Sequence, residues 1–247
     1  MKQIAHIESV YKSKFGVPRQ AGLVNYEARV VFEPEYSVAE AVRGLDEFDY
    51  VWLIWGFHLN GLKDGNSKSL KDEKFFDSSS FRLFDSPSWS PTVRPPRLGG
   101  NKRVGVFATR SPFRPNAIGL SSVRLLRIEA GPVLVVSGAD LVDGTPIYDI
   151  KPYIPYADSH PDARGGFAQQ APTPLEVVDD HGLLLQLPED AREALRDSLA
   201  LDPRPHYQND AQRVYAMPFG KWEVRFRVND GSVEVVALNI VNIGNNN

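Results

Sequence analysis

Cysteine is absent from this chain, which removes disulfide scaffolds, thiolate metal sites and cysteine nucleophiles together. Long apolar runs are absent too, and no stretch reaches the about eighteen residues that suggest a membrane-spanning helix. The N-terminus lacks the basic-then-apolar pattern of a secretion signal and alternates polar with apolar residues, as a strand does. A cytoplasmic protein is therefore expected. No G-x-G-x-x-G follows a strand, and there is no Walker loop and no alternation of strands with long helices. A nucleotide-like cofactor would have to bind without a Rossmann sheet. The histidines, at 6, 58, 160, 181 and 206, show no metal-ligand spacing, so a metal-dependent hydrolase is disfavoured and no metal is expected.

Acidic residues are missing from one long stretch. The net charge of the 247 residues is −3, too low for a protein that coats nucleic acid by overall basicity. Yet nothing between Asp85 and Glu129 is acidic, while Arg94, Arg97, Lys102, Arg103, Arg110, Arg114, Arg124 and Arg127 all fall there. A basic block in a slightly acidic chain makes a local field suited to an anionic ligand or to RNA phosphates. Arg124 and Arg127 flank apolar strand positions and can equally be a solvated strand face.

What is present reads as mainly β: an antiparallel β-barrel N-terminal domain, with a sandwich as the alternative arrangement of the same strands, and a smaller α+β C-terminal domain. Strands are expected at residues 3–10, 26–32, 50–58, 103–108, 120–128, 133–139 and 147–154. The apolar run 50–58 suggests a strand buried on both faces. A short helix is expected at 38–45, capped by Ser37. Residues 62–88 read as an exposed, partly ordered insertion. The barrel domain takes 1–160 and the second unit 172–242, across a linker rich in Pro, Gly and Gln. That unit carries strands at 175–178, 213–217, 221–228 and 233–240 and an amphipathic helix at 189–201. The last three asparagines read as disordered.

Four segments are richer in Pro, Gly, Arg and polar residues than a plain barrel requires. They are Pro18-Arg19-Gln20, Phe57-His58, Thr109 to Gly119, and Asp140 to Thr145 with Asp149 to Tyr153. Each alone can be explained by turn shape. Together they sit at strand ends, which converge at a barrel mouth where ligands bind.

The runs Val17-Pro-Arg-Gln20, Ala41-Val-Arg-Gly-Leu45, Arg94-Pro-Pro-Arg-Leu-Gly-Gly100, Gly105-Val-Phe-Ala-Thr-Arg-Ser111, Phe113-Arg-Pro-Asn116, Asp140-Leu-Val-Asp-Gly-Thr-Pro146, Asp149-Ile-Lys-Pro-Tyr153 and Asp202-Pro-Arg-Pro205 resemble the TrmO (YaeB- or TsaA-like) family, in order along nearly the whole chain. The insertion at about 62–88 looks longer than usual for that family. The resemblance implies an S-adenosylmethionine-dependent methyltransferase, usually a homodimer, that methylates the exocyclic nitrogen of N6-threonylcarbamoyladenosine beside the anticodon of threonine tRNAs. It places the cofactor at Pro18, Arg19, Gln20, Phe57, His58, Arg110, Leu120, Leu141, Val142, Asp143 and Gly144.

Methyl transfer needs positioning and a suitable charge environment rather than a covalent nucleophile, which agrees with the missing cysteine. Arg19 and Arg110 suit the cofactor carboxylate, while Asp140 and Asp143 suit its sulfonium, amino group or ribose. Arg94, Arg97, Lys102, Arg103, Arg114, Asn116 and Tyr153 are candidates for the anticodon loop, with the second domain as a tRNA-binding accessory. Arg114 or Lys151, as unpaired cations near the mouth, would meet the substrate carboxylate. His58, Asp149 and Lys151 remain the catalytic candidates, with His58 or Asp149 as possible proton acceptors. A non-catalytic RNA-binding barrel is the rival reading.

Overall fold

The computed structural model describes residues 1–59, 89–98, 102–204, 210–229 and 231–241. The expected insertion and the terminal asparagines lie outside the described residues. The first strands are β1 (Ala5–Glu8), β2 (Glu27–Phe32) and β3 (Tyr50–Gly56), followed by the two-residue strands β4 (Thr92–Val93) and β5 (Val104–Gly105). Then come β6 (Ile118–Glu129), β7 (Val133–Ser137) and β8 (Pro146–Pro152). Six of these close a barrel in the order β1-β2-β7-β6-β3-β8, every pair antiparallel. Period-two alternation sends Ile7, Val30, Val51, Leu53, Val123, Leu134, Val136 and Ile147 inward to fill it.

The double-sided burial expected for 50–58 falls elsewhere. In β3 only one face is buried, and Tyr50 on the other is exposed. β7 is the strand covered on both sides: Val133 and Val135 are buried along with the inward Leu134 and Val136. Val135 lies opposite Arg29 and Arg127, whose aliphatic stems suit an apolar neighbour while the heads reach water. Two further expectations need correction. The helix at 38–45 is two short 3₁₀ turns, Ala39–Val42 and Leu45–Glu47, broken by Gly44 at φ +80°. Ser37 does not cap it; its hydroxyl donates to the Gly131 carbonyl. The strand at 103–108 lasts two residues before the 3₁₀ turn Val106–Ala108.

After the one-turn helix α1 (Pro155–Asp158) and the linker come β9 (Glu176–Val178), α2 (Glu189–Ala200), β10 (Tyr215–Phe219), β11 (Trp222–Asn229) and β12 (Ser232–Ile240). The C-terminal sheet runs β10-β11-β12-β9, with β9 parallel to β12. On α2, Ala191, Ala194, Leu195, Ser198 and Leu199 are buried at helical spacing, which seats one stripe on the sheet.

The core of this second unit borrows from the first. Val10, Tyr11 and Val24, from the segment joining β1 to β2, are buried with Leu195, Leu199, Met217, Phe219 and Phe226. The Tyr11 hydroxyl meets Ser198 Oγ at 3.1 Å, and burial pushes its pKa up to about 12. The Gly220 amide donates to the Val10 carbonyl at 2.8 Å. Gly16, at φ +95°, passes so close to Met217 that a Cβ would overlap the thioether.

Gly16→Ala therefore combines a left-handed alanine, costing roughly 1–2 kcal/mol, with overpacking of about 1–3 kcal/mol. Denaturant melts should show the loss. An unchanged midpoint would mean that the joint does not depend on this close approach.

Candidate functional site

The antiparallel closure brings six strand ends to one mouth. The end of β3 meets the start of β6 (Gly56 opposite Ile118), and the starts of β2 and β8 lie beside the ends of β7 and β1. Hence Gln20, Phe57, His58 and Val142–Gly144, far apart in sequence, come to this rim; Pro18 and Arg19 instead lie against Leu201 of the C-terminal unit, Leu120 is on the outer face, and Leu141 is buried in the barrel core. Two backbone bonds hold the loops to each other: Gly22 N–H to the Gly138 carbonyl at 2.8 Å, and Asp143 N–H to the Tyr11 carbonyl at 2.8 Å.

Below the rim runs a polar chain that ends on a carboxylate. Gly119 stands opposite Trp55, and its missing Cβ leaves room for the indole. The Trp55 N–H donates to Ser121 Oγ at 2.9 Å, and Ser121 donates to Asp140 Oδ1 at 2.5 Å. Burial raises the Asp140 pKa above the usual aspartate value; the Ser121 bond, the backbone N–H of Ala21 and the charge of Arg110 pull the other way. Arg110 itself is exposed and donates to Gln20 Oε1. A guanidinium and a carboxylate thus share a small space without pairing off. That fits a ligand carrying both a carboxylate and a cationic centre. Phe57 packs on Trp55 with ring centroids 4.3 Å apart and supplies an apolar wall.

The turn before β8 is held from both sides. Asp143 Oδ1 accepts the Ser9 N–H at 2.8 Å, and Oδ2 pairs with Lys12 Nζ at 2.8 Å. Gly144, at φ +75°, makes the turn, and Thr145 Oγ1 closes it onto the Val142 carbonyl at 2.6 Å. His58 is half-buried in this neighbourhood. Burial lowers its pKa, the charge of Asp143 raises it, and that of Lys14 lowers it, so the ring is held neutral to lower pH than a free histidine.

Other expected site residues lie elsewhere. Asp149 and Lys151 stand on the outer face of β8 opposite Ile54 and Trp52. Lys151 is not unpaired, because its Nζ meets Asp149 Oδ2 at 2.9 Å. Tyr153 is at the far end of the barrel, in ring contact with Tyr50 and Trp52. Arg114 stabilises its own loop, donating to the Thr109 carbonyl at 2.8 Å and lying over the Phe107 ring, while Asn116 is exposed on the same loop. Arg103 holds Thr92 through two 2.7 Å bonds. Arg127 is tied to Glu27 and Glu129 and does not add to the field. Arg94, Arg97 and Lys102 are exposed on the 89–105 segment, and Arg97 donates to the Gln170 carbonyl at 2.8 Å. Among the described residues no cluster suits a metal ion, and no helix is long and apolar enough to cross a membrane.

Sequence reading missed Trp55 and Ser121. The available signal was Gly119, an isolated glycine inside a strand pattern, which marks a close approach. Tyr148 was missed as well: it occupies the irregular register between β3 and β8, its hydroxyl over Gly56.

Comparison with known proteins places this arrangement among relatives. Residues 6–159 match the family model of the tRNA-methyltransferase O N-terminal domain, and residues 176–241 match the TrmO C-terminal domain. The chain is similar to the Escherichia coli (strain K12) tRNA (adenine(37)-N6)-methyltransferase, 41% identical over 252 residues that cover 96% of each protein. It is 42% identical over 216 residues to a Pseudomonas aeruginosa protein whose name classes it with S-adenosylmethionine-dependent methyltransferases, covering 83% of this chain and 81% of that one. A crystal structure of TrmO from P. aeruginosa superposes with a TM-score of 0.70 at 31% identity, covering 96% of this chain and 95% of the other.

The Asp140 carboxyl should release its proton above the ordinary aspartate range in a carbon-detected NMR titration. In Ser121→Ala the midpoint should move up further, because the lost bond stabilises the charged form. A midpoint at or below the free value in the unaltered protein would refute the enclosure described.

Proposed function

The chain belongs to the tRNA-methyltransferase O family, and from that premise we propose that it is an S-adenosylmethionine-dependent tRNA methyltransferase acting on N6 of adenine 37. One observation carries the reading. Most of the positions assigned to the cofactor by family resemblance, among them Gln20, Phe57, His58, Arg110 and Asp143, gather at one rim, around an arginine and a carboxylate that are not paired off. The barrel, residues 1–160, is assigned the chemistry, and residues 172–242 are assigned a share of the tRNA. Within this activity we assign as acceptor the threonylcarbamoyl form of the adenosine, in threonine tRNA.

When bound, S-adenosylmethionine would supply a methyl group activated by its attachment to a sulfonium. The chain's residues bind, orient and manage one proton. Arg110, steadied by Gln20, would hold the cofactor carboxylate. Asp140, whose charged form Ser121 and Arg110 favour against its burial, would hold the cationic part of the cofactor. Phe57 would help keep water from the reacting atoms. The acceptor nitrogen must lose a proton, and His58 takes it: the imidazole is at the rim, is favoured in its neutral form by burial, and has Asp143 nearby to support the cation that forms. Asp149, paired with Lys151 on the outer face, is the weaker candidate.

Leu120 is 54% exposed on the outer face, opposite Ile54. A leucine left exposed here favours the homodimer that the family resemblance implies, in which a second copy would cover it.

The direct test incubates the protein with S-adenosylmethionine and tRNA and follows nucleosides by mass spectrometry. Threonylcarbamoyladenosine should be replaced by a product one methyl heavier. Failure to bind cofactor at millimolar concentration would leave a non-catalytic RNA-binding barrel.

His58→Gln should lower kcat by about 10²-fold or more and abolish the acid limb of the pH profile. In the unaltered enzyme that limb should lie below the free-histidine range, because the pKa is lowered. An intact acid limb in the variant would return the role to Asp149 or to water. Sedimentation should give a dimer that Leu120→Glu dissociates; a monomer in both would remove the second-copy reading.

A further inference from the structure

We propose that Tyr148 is a further residue of the site, its phenol donating a hydrogen bond to the carbonyl oxygen beside the acceptor nitrogen. This rests on the reading above, in which the acceptor is threonylcarbamoyladenosine and His58 takes its proton.

Tyr148 owes its place to a break in strand register. Asp149 pairs with Ile54 but Ile147 with Trp55, so Tyr148 stands as one extra residue between two regular pairs. A bulge of this kind leaves its residue outside the ladder and re-aims the side chain, and bulges are common next to active sites. The phenol reaches across to the neighbouring strand and lies over Gly56, where a Cβ would overlap its hydroxyl and ring. Glycine at the last position of β3 is therefore what admits it. Trp55 is turned into the barrel and bonded to Ser121, so Gly56 and the phenol over it take the opposite side of the wall.

The hydroxyl thus stands at the end of the strand that leads to the proton acceptor. His58 follows Gly56 by two residues, no more than about 7 Å of chain. Phe57 between them is still fixed to β6 through its N–H, which donates to the Ala117 carbonyl at 3.0 Å. Tyr148 is half-buried, and its hydroxyl has no hydrogen-bond partner among the described residues. Tyrosine hydroxyls that leave the solvent usually find a partner, so this one is open to a ligand. Burial also raises its pKa, which keeps the phenol a neutral donor to higher pH than a free tyrosine.

The chemistry supplies a use for such a donor. When the acceptor N–H gives its proton to His58, the negative charge left on nitrogen spreads onto the adjacent carbonyl oxygen. A fixed donor at that oxygen holds it more strongly in the reacting state than before. The phenol keeps its own proton throughout.

Tyr148→Phe keeps the ring over Gly56 and removes only the donor. With the full chain, S-adenosylmethionine and tRNA bearing threonylcarbamoyladenosine, its kcat should fall at least about tenfold. KM for tRNA and cofactor affinity by calorimetry should hold, and the acid limb assigned to His58 should stay in place. Incorporating 3-fluorotyrosine at position 148, a more acidic phenol, should keep kcat near neutral pH and bring its alkaline fall to lower pH. An unchanged kcat in Tyr148→Phe, or an alkaline fall that ignores the fluorine, overturns the proposal. So does a loss of cofactor affinity or of the dimer in Tyr148→Phe, which would make the residue a cofactor contact or an interface residue instead. The unaltered protein, whose nucleoside products identify the acceptor, tests the underlying activity separately.

Discussion

Burial of the segment between β1 and β2 in the C-terminal unit is the interaction on which the rim depends. Val10, Tyr11 and Val24 leave the barrel to pack among Leu195, Met217 and Phe219, and this fixes both ends of the loop carrying Pro18, Arg19 and Gln20. A buried apolar side chain contributes roughly 1.5–3 kcal/mol, so these three offset part of the cost of ordering the segment. The loop is consequently a wall between two units rather than a tip in solvent. Its residues face both ways: Gln20 toward the mouth, Arg19 toward the Asp202 carbonyl of the C-terminal unit.

The second constraint is electrostatic. An acid-free stretch supplies the cations, but the structure spends them unequally. Arg103 and Arg114 support their own loops, and Arg127 is held by two carboxylates. Arg110 and Arg97 are held by an amide oxygen and a carbonyl, which orient a guanidinium while leaving its field intact. Selective neutralisation, more than the number of arginines, decides where an anion is attracted. Asp140 follows the same logic with opposite sign: burial opposes its charge, and Ser121, aligned through Trp55, supports it.

The strands were legible because alternation of inward and outward side chains has a fixed period of two, visible in 26–32 and 120–128 of the barrel and in 221–228 of the second sheet. The errors fell where local pattern is silent. The run 50–58 is apolar throughout, yet its outer side chains lie on an exposed wall. Opposite Arg29 and Arg127, Val135 is buried by neighbours that no pattern in its own strand reveals. Residues 103–108 have strand composition, but only two of them find a partner, and an unpaired backbone tightens into a 3₁₀ turn.

By itself the sequence determined the fold class, the two units, the family and the set of segments that gather at the mouth, because periodicity, turn residues and long ordered motifs are local properties of the chain. Tertiary structure alone decided which members of that set can act together. It moved Asp149, Lys151 and Tyr153 onto the outer wall and the far end. It joined Trp55 and Ser121 to Asp140 across strands and set Arg19 between two units. Each of these depends on strand register and on which face a side chain takes, and a shift of one residue in register would reverse every face.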